Sequence, residues 1–138
     1  MMKNCVIQFR KTVFLLVLVG LLCSPLIVSA TSGSATYASI NLDYTCTVSS
    51  TKGTATTNGA VKPYSNYASV IVYDKDGNSK GGDVDYGLPR AQQSSAKATA
   101  TVGGKLGLKK ALGNHAVANS SKNLIGSYDE LIVTRPSR

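Results

Sequence analysis

A length of 138 residues allows one ordinary domain, and the chain after residue 30, which has no Trp, no Phe and few large aliphatic residues, is expected to form a thin core of small side chains. The formal net charge is +8, but no aromatic array or nucleic-acid motif accompanies the basic residues, which argues against a nucleic-acid partner. Three Cys are too few for a disulfide-rich miniprotein.

The amino-terminal residues have the order of a secretory signal peptide. A basic stretch at residues 1–11 precedes an apolar run at residues 13–23, and Val28-Ser29-Ala30 then supplies the small residues that a signal peptidase reads. We predict that residues 1–30 are removed and that the remaining chain is secreted. The size of the chain and the style of this leader suggest a bacterial source.

Two other fates of this segment fit the residues less well. A membrane anchor needs about 20 predominantly apolar residues, whereas Ser24 and Pro25 interrupt the run and no basic flank follows it. Lipid attachment at Cys23 would need a small residue before it, where the chain has Leu22. With cleavage after Ala30, three basic residues leave, the net charge falls from +8 to +5, and no membrane-spanning segment is expected in the mature form.

Alternation of apolar and polar side chains predicts strands in the mature chain. Between residues 38 and 48 the apolar side chains share one parity, so one face of this strand is expected to be buried and the other exposed. Residues 96–102 repeat the pattern with smaller side chains. Residues 68–73 are apolar on both parities, as in a central strand that is covered on both faces or whose outer face meets a partner.

A hairpin is predicted over residues 67–88, because Asp74-Lys75-Asp76-Gly77-Asn78 has the composition of a tight turn. The acidic side chains of this turn resemble a calcium loop, but Ser79 occupies the position where that loop needs Gly. Fainter β-type runs complete the chain at residues 51–61, 115–120 and 128–134. The first of these runs is expected to pair with the alternating strand before it.

About seven short strands at hairpin spacing predict an all-β fold. A small antiparallel β-sandwich is the preferred architecture, and a small open β-barrel is the second choice. The predicted organisation is a signal peptide at residues 1–30, a loose segment at 31–36, the β-sandwich domain at 37–134 and a loose tail at 135–138.

The mature chain keeps one Cys and one His, which cannot form a zinc site of the usual four-ligand kind. Cys46 has the parity of the buried face of its strand, so we expect a buried thiol rather than a reactive one or an intermolecular disulfide. His115 follows a Gly-Asn pair, and no Gly-x-Ser-x-Gly motif offers it a nucleophile, so a turn or strand-edge position is expected. The sequence thus predicts no enzymatic activity, no cofactor and no metal.

The function predicted from these residues is binding outside the cell. The leader, the alternating strands and the lack of a catalytic motif favour a small non-enzymatic protein that binds an extracellular partner or a cell-envelope surface. Tyr is favoured at wet interfaces, and Tyr37 is one contact candidate. The main candidate binding residues are Tyr64, Tyr67, Tyr73, Tyr86, Lys105, Lys109 and Lys110.

The alternative is a secreted cationic antimicrobial, bacteriocin-like or toxin-like protein. The segment Lys105–Leu112 interleaves three Lys with three Leu, which suits contact with an anionic membrane or an envelope polymer. Permeabilisation of anionic vesicles by the mature protein would favour this alternative over a binding module.

Processing of the leader is directly measurable. We expect intact-mass analysis of the exported protein to show a chain that begins at Thr31, because the peptidase cuts after Ala30. A product that still carries residues 1–30 would contradict cleavage and support the membrane anchor.

Overall fold

The structure, a computed structural model, describes residues 28–37, 39–87, 95–103 and 107–136, with the backbone alone at residues 126–128. The predicted leader, apart from its last three residues, lies outside this range. The described chain contains eight strands: β1 Ser29–Tyr37, β2 Ile40–Val48, β3 Lys52–Asn58, β4 Ser65–Tyr73, β5 Ser79–Tyr86, β6 Ser95–Thr101, β7 Lys110–Ala118 and β8 Leu124–Thr134.

The strands form two antiparallel sheets of four strands each. The first sheet has the order β1-β2-β3-β6, and the second sheet has the order β5-β4-β7-β8. Their inner faces pack against each other around one main core, which is the antiparallel β-sandwich that the alternating sequence predicts. No helix long and apolar enough to cross a membrane is found in the described residues.

The predicted parity of β2 is confirmed. Its apolar side chains from Leu42 to Val48 are buried, and the side chains between them lie on the outer face. The predicted pairing of β2 with β3 and the predicted hairpin of β4 and β5 are also present. Asp74 stabilises the hairpin turn, because its Oδ1 accepts hydrogen bonds from the backbone N–H groups of Asp76 and Asn78 at 2.9 and 3.0 Å.

The expectation of a loose segment at residues 31–36 is wrong, because this segment lies inside β1. β1 pairs with β2 along its whole length, from Ser29 opposite Val48 to Tyr37 opposite Ile40. The sandwich therefore has one strand more than the sequence indicates, at the edge of the first sheet.

A glycine explains why β1 lacks an apolar signature. Gly33 faces the interior beneath the ring of Tyr44, and a Cβ at this position would lie 2.5 Å from Cε2 of that ring. Because β2 supplies the large side chain here, β1 needs only small residues on its inner face before Tyr37 at its end. The alternation that reveals β2 is consequently hidden in β1.

The expected loose tail at residues 135–138 is held at its first residue. The backbone N–H of Arg135 donates to the carbonyl of Lys109, and its guanidinium donates to the carbonyl of Leu108, both at 2.8 Å. The last two residues of the tail lie outside the described range.

The two sheets approach each other through small side chains. Alanines fill much of the interior, and a Cβ at Gly53 would overlap Cγ1 of Val72 from the opposite sheet. This is the thin core that the composition predicts. The largest fully buried side chains include Leu108, His115, Val48, Val70, Val72 and Val117.

Two carboxylates join the sheets along one side of the sandwich. β6 is an edge of the first sheet, and β5 is an edge of the second sheet. Oδ2 of Asp83 accepts a hydrogen bond from the backbone N–H of Thr99, and Oδ2 of Asp85 accepts one from that of Lys97, both at 2.7 Å. These bonds satisfy edge amides that would otherwise be open to pairing with another chain.

Loss of this carboxylate seam is expected to lower stability. Replacing Asp83 and Asp85 together by Ala removes two charge-assisted hydrogen bonds, and we expect the free energy of unfolding to fall by about 2 kcal/mol. Urea unfolding measures the change. The matched variant with Asp43 and Asp76 replaced by Ala loses the same charge at exposed positions and should change by less than about 0.5 kcal/mol. Equal losses in the two variants would show that the seam contributes nothing specific.

Candidate functional site

The outer face of the second sheet gathers three of the tyrosines that the sequence singles out. The even-numbered residues of β4 up to position 72 are fully buried, so its odd-numbered residues point outward. Tyr67 and Tyr73 therefore lie on the outer face, and the strand registers place Tyr86 and Lys110 beside them. Tyr67 is only 9% exposed, because it packs with Ala116, Ala118 and Tyr86 in a small cluster on this side of the sheet. We call this surface the tyrosine face; it comprises Tyr67, Ile71, Tyr73, Val84, Tyr86, Lys110, Leu112 and Ile132.

An apolar row crosses the middle of the tyrosine face. Ile71 of β4 stands opposite Leu112 of β7, and Leu112 stands opposite Ile132 of β8. Val84 of β5 lies diagonally beside Ile71. Ile132 and Val84 are 55% and 54% exposed. Ile71 and Leu112, between them, are partly buried. A row of neighbouring apolar side chains that is only partly covered is typical of an interaction surface.

Aromatic rings and cations lie at the two ends of the tyrosine face along the strand direction, on either side of this row. Tyr73 stands opposite Lys110, whose Nζ lies 4.4 Å from the centroid of the Tyr73 ring. At the other end, Tyr67 stands opposite Tyr86 with ring centroids 5.1 Å apart, and Nζ of Lys122 lies 5.5 Å from the centroid of the Tyr86 ring. Each end thus combines an amphipathic aromatic ring with a positive charge.

The other candidate residues are not part of this face. Tyr64 packs edge-to-face on Tyr37, with ring centroids 6.0 Å apart, among side chains of the interior. Lys109 lies next to the tyrosine face, where its backbone N–H donates to the carbonyl of Tyr73 at 2.8 Å. Lys105 lies outside the described residues.

Sequence reasoning missed the apolar row, because its members come from four strands. Two segments of the sequence nevertheless indicate an apolar outer face. Residues 68–73 are apolar on both parities, which indicates an outer face that is covered or that meets a partner. Leu131-Ile132-Val133 in β8 has the same property. Which of these side chains meet in one row depends on the register of strands far apart in the chain.

His115 lies in the interior, so the expectation of a turn or strand edge is wrong. It is 2% exposed and belongs to β7, which runs between β4 and β8. Oγ1 of Thr57 lies 2.8 Å from both the carbonyl oxygen of Tyr67 and Nδ1 of His115. Since the hydroxyl donates its single proton to the carbonyl, Nδ1 carries the proton that Thr57 accepts. Nε2 is then unprotonated and has no hydrogen-bond partner among the described residues.

Tyr44 and Cys46 complete this interior cluster. The ring of Tyr44 stacks on His115 with centroids 4.9 Å apart, and its hydroxyl donates to the carboxylate of Asp129. Burial, with that hydrogen bond, raises the pKa of Tyr44 to about 12. Burial lowers the pKa of His115 to about 4, against the opposing effect of Asp129. Burial also raises the pKa of the fully buried Cys46 thiol to about 11, and the expected buried thiol is confirmed.

The protonation of this cluster suits packing rather than chemistry on a ligand. His115, Tyr44 and Cys46 are all neutral at pH 7, and each is enclosed between the two sheets. A nucleophile and a general base need access to a substrate, which enclosure between sheets denies them. The cluster therefore favours a structural role for the single histidine.

The acidic turn at residues 74–78 serves the hairpin itself. Nζ of Lys80 lies 3.0 Å from Oδ2 of Asp74, and this contact, together with the N–H groups of the turn, lowers the pKa of Asp74 to about 2. Within the described ranges, no group of three or more His, Cys, Asp or Glu side chains is arranged to hold a metal ion.

Comparison with known proteins yields a distant likeness. No protein-family model and no curated protein matches the chain. Among solved structures, it is similar to the crystal structure of the KRT10-binding region domain of the pneumococcal serine-rich repeat protein PsrP, with 10% sequence identity and a TM-score of 0.38, over 79% of this chain and 98% of that chain.

The buried His115 makes stability depend on pH. Its pKa is lowered from 6.5 to about 4 on folding, so its neutral form is favoured in the folded state. This contribution is complete above pH 6.5 and is lost as the pH falls through 4. We expect the free energy of unfolding to drop by about 2 kcal/mol between about pH 7 and pH 4.5, as measured by urea unfolding.

Two controls assign this drop to His115. The variant His115→Gln does not titrate and should lack the drop. Because the chain has one His, NMR titration of its imidazole in the folded protein reports the same group directly. An imidazole that gains its proton near pH 6.5 would contradict the buried neutral state.

Proposed function

We propose that this chain is a secreted, non-enzymatic binding protein whose tyrosine face docks onto an extracellular protein partner. The observation that carries the proposal is the apolar row through Val84, Ile71, Leu112 and Ile132, on the outer face of a sheet whose opposite face already forms the core. Val84 and Ile132, at the two ends of the row, are more than half exposed, and Ile71 and Leu112 between them are partly buried. A side chain that serves only folding has no reason to be large and apolar there. Interaction surfaces are where contiguous apolar groups are retained on folded proteins.

The chemistry of the tyrosine face indicates what it recognises. Its centre is apolar, and its ends carry the cations of Lys110 and Lys122 over aromatic rings. A complementary surface has an apolar ridge with acidic side chains on both sides. Tyr rings at the boundary contribute area and a hydroxyl group at little cost in side-chain entropy, as at the centre of many protein interfaces. A folded protein presents such a ridge, so the proposed occupant is a protein.

The membrane-active alternative receives less support from the described residues. In the segment that it depends on, Leu108 is fully buried, and Lys110–Leu112 belong to β7. Lys110 and Leu112 therefore point outward as members of a sheet rather than of an amphipathic helix. The alternative remains distinguishable by experiment.

Binding of fluorescently labelled protein to intact cells of the producing culture tests the proposal. The double variant Val84→Ser, Ile132→Ser removes the two most exposed apolar side chains of the tyrosine face, and we expect binding to weaken at least about tenfold in flow cytometry. Its fold should persist, because both side chains are already half exposed. Shaving the cells with protease should abolish binding of the unaltered protein.

The matched control changes the opposite side of the sandwich. Ser32→Ala with Ser34→Ala alters two exposed positions of β1 and should leave binding unchanged. Several outcomes would overturn the proposal: no binding at all, equal binding by the tyrosine-face variant, or binding that survives protease shaving. Permeabilisation of anionic vesicles would favour the antimicrobial alternative. A dimer in sedimentation that the variant abolishes would make a second copy of the chain the occupant.

A further inference from the structure

We propose that the outer face of the first sheet is a second binding site, which takes an acidic polysaccharide. The chemistry it recognises is a chain of hydroxyl groups that carries repeated anionic groups. This surface lies on the opposite side of the sandwich from the tyrosine face. We call it the threonine face; its array consists of Thr45, Thr47, Thr54, Thr56, Lys52 and Lys97.

The threonines of β2 and β3 stand in register. Thr45 is opposite Thr56, and Thr47 is opposite Thr54. Paired strands are about 4.8 Å apart and alternate residues of one strand are about 6.8 Å apart, so the four hydroxyl groups form a regular grid. None of these hydroxyl groups makes a hydrogen bond within the part of the chain that the structure describes. Since a hydroxyl both donates and accepts, the grid matches the hydroxyl groups of a sugar chain.

Two lysines supply positive charge on one side of the grid. Lys97 of β6 stands opposite Thr56, and Lys52 lies four residues from Thr56 along β3, a distance of about 14 Å at the usual strand rise. Among the described residues, neither lysine has a carboxylate within 4.0 Å. Carboxylates lie on both sides of the array: Asp43 on β2, and Asp83 and Asp85 at the edge of β6, where each accepts a hydrogen bond from a backbone N–H group. Contact with an anionic group therefore falls to the two Lys side chains themselves. Two separated cations beside neutral hydroxyl groups suit a polymer with repeated charges.

The array lines a shallow depression of about 360 Å³. This volume falls at the lower end of the roughly 300–1,000 Å³ of small-molecule sites, so the depression holds a short stretch of a longer chain. Val28 also lines it and would leave with the predicted leader, whereas all six residues of the array follow the cleavage site. The strands of this face carry no aromatic side chain on their outer parity, so base stacking to single-stranded nucleic acid is missing.

Binding of immobilised polymers, measured by biolayer interferometry at about 0.15 M salt, tests this second site. The probes are polygalacturonate, dextran sulfate, neutral dextran and oligo(dT), which separate carboxylate, sulfate, hydroxyl and nucleic-acid recognition. We expect binding to one or both acidic polysaccharides. The variant Lys52→Gln with Lys97→Gln should weaken it about tenfold, and Thr45→Val with Thr56→Val should weaken it about fivefold at unchanged net charge.

Two controls keep this test separate from net charge and from the proposed function. Lys62→Gln with Lys75→Gln removes the same charge from exposed positions elsewhere and should change binding by less than about twofold. Val84→Ser with Ile132→Ser should leave polysaccharide binding unchanged. Thermal melting confirms that each variant is folded.

The proposal is overturned if no acidic polysaccharide binds, or if oligo(dT) binds as strongly as the polysaccharides. It is also overturned if the two lysine variants lose binding equally, or if the threonine variant binds as well as the unaltered protein. If neutral dextran bound as strongly as the acidic polymers, the proposed recognition of anionic groups by the lysines would be wrong. None of these outcomes depends on whether the tyrosine face binds a protein.

Discussion

The two sheets approach each other so closely that some positions between them have room only for a hydrogen atom. A Cβ at Gly53 would overlap Val72, and a Cβ at Gly113 would lie 3.0 Å from both Sγ of Cys46 and Nε2 of His115. Such close spacing requires small side chains, which bury little apolar surface. Each contact between the sheets therefore contributes a larger fraction of the stability of the fold. The buried hydrogen bonds of Thr57 and the seam of two carboxylates therefore carry an unusual share of the sandwich's cohesion.

The same period-two geometry that builds the core also creates two outer faces of different character. On the first sheet the outward positions are mostly Thr, Ser, Asn and Lys, whereas on the second sheet they include Ile, Leu, Val and Tyr. An ordinary solvated sheet needs only the first kind of surface. This contrast suits the tyrosine face to the proposed protein partner and the threonine face to the proposed hydrated polymer.

Local alternation made β2 predictable residue by residue, including the burial of Tyr44 and Cys46. β1 was not predicted because Gly33 leaves room on its inner face for the Tyr44 ring of β2. The sequence of β1 therefore lacks a clear alternation of apolar and polar side chains. A single His shows no alternation from which its burial could be predicted. His115 is buried because it lies in a central strand. The apolar row depends on the register of strands that are far apart in the chain, and the threonine grid depends on the register of the consecutive strands β2 and β3. Alternation within one strand encodes neither register.

The seam between β5 and β6 has a mechanical implication. Main-chain ladders hold every neighbouring pair within each sheet, whereas the hydrogen bonds between β5 and β6 in the part of the chain that the structure describes are those of the Asp83 and Asp85 side chains. Separating the two layers along this line would break these bonds and the packing between the layers, but no ladder bond. Solvent hydrogen would then reach the amides of Lys97 and Thr99 before those at the centre of either sheet, because sub-global opening starts where the fewest bonds must break.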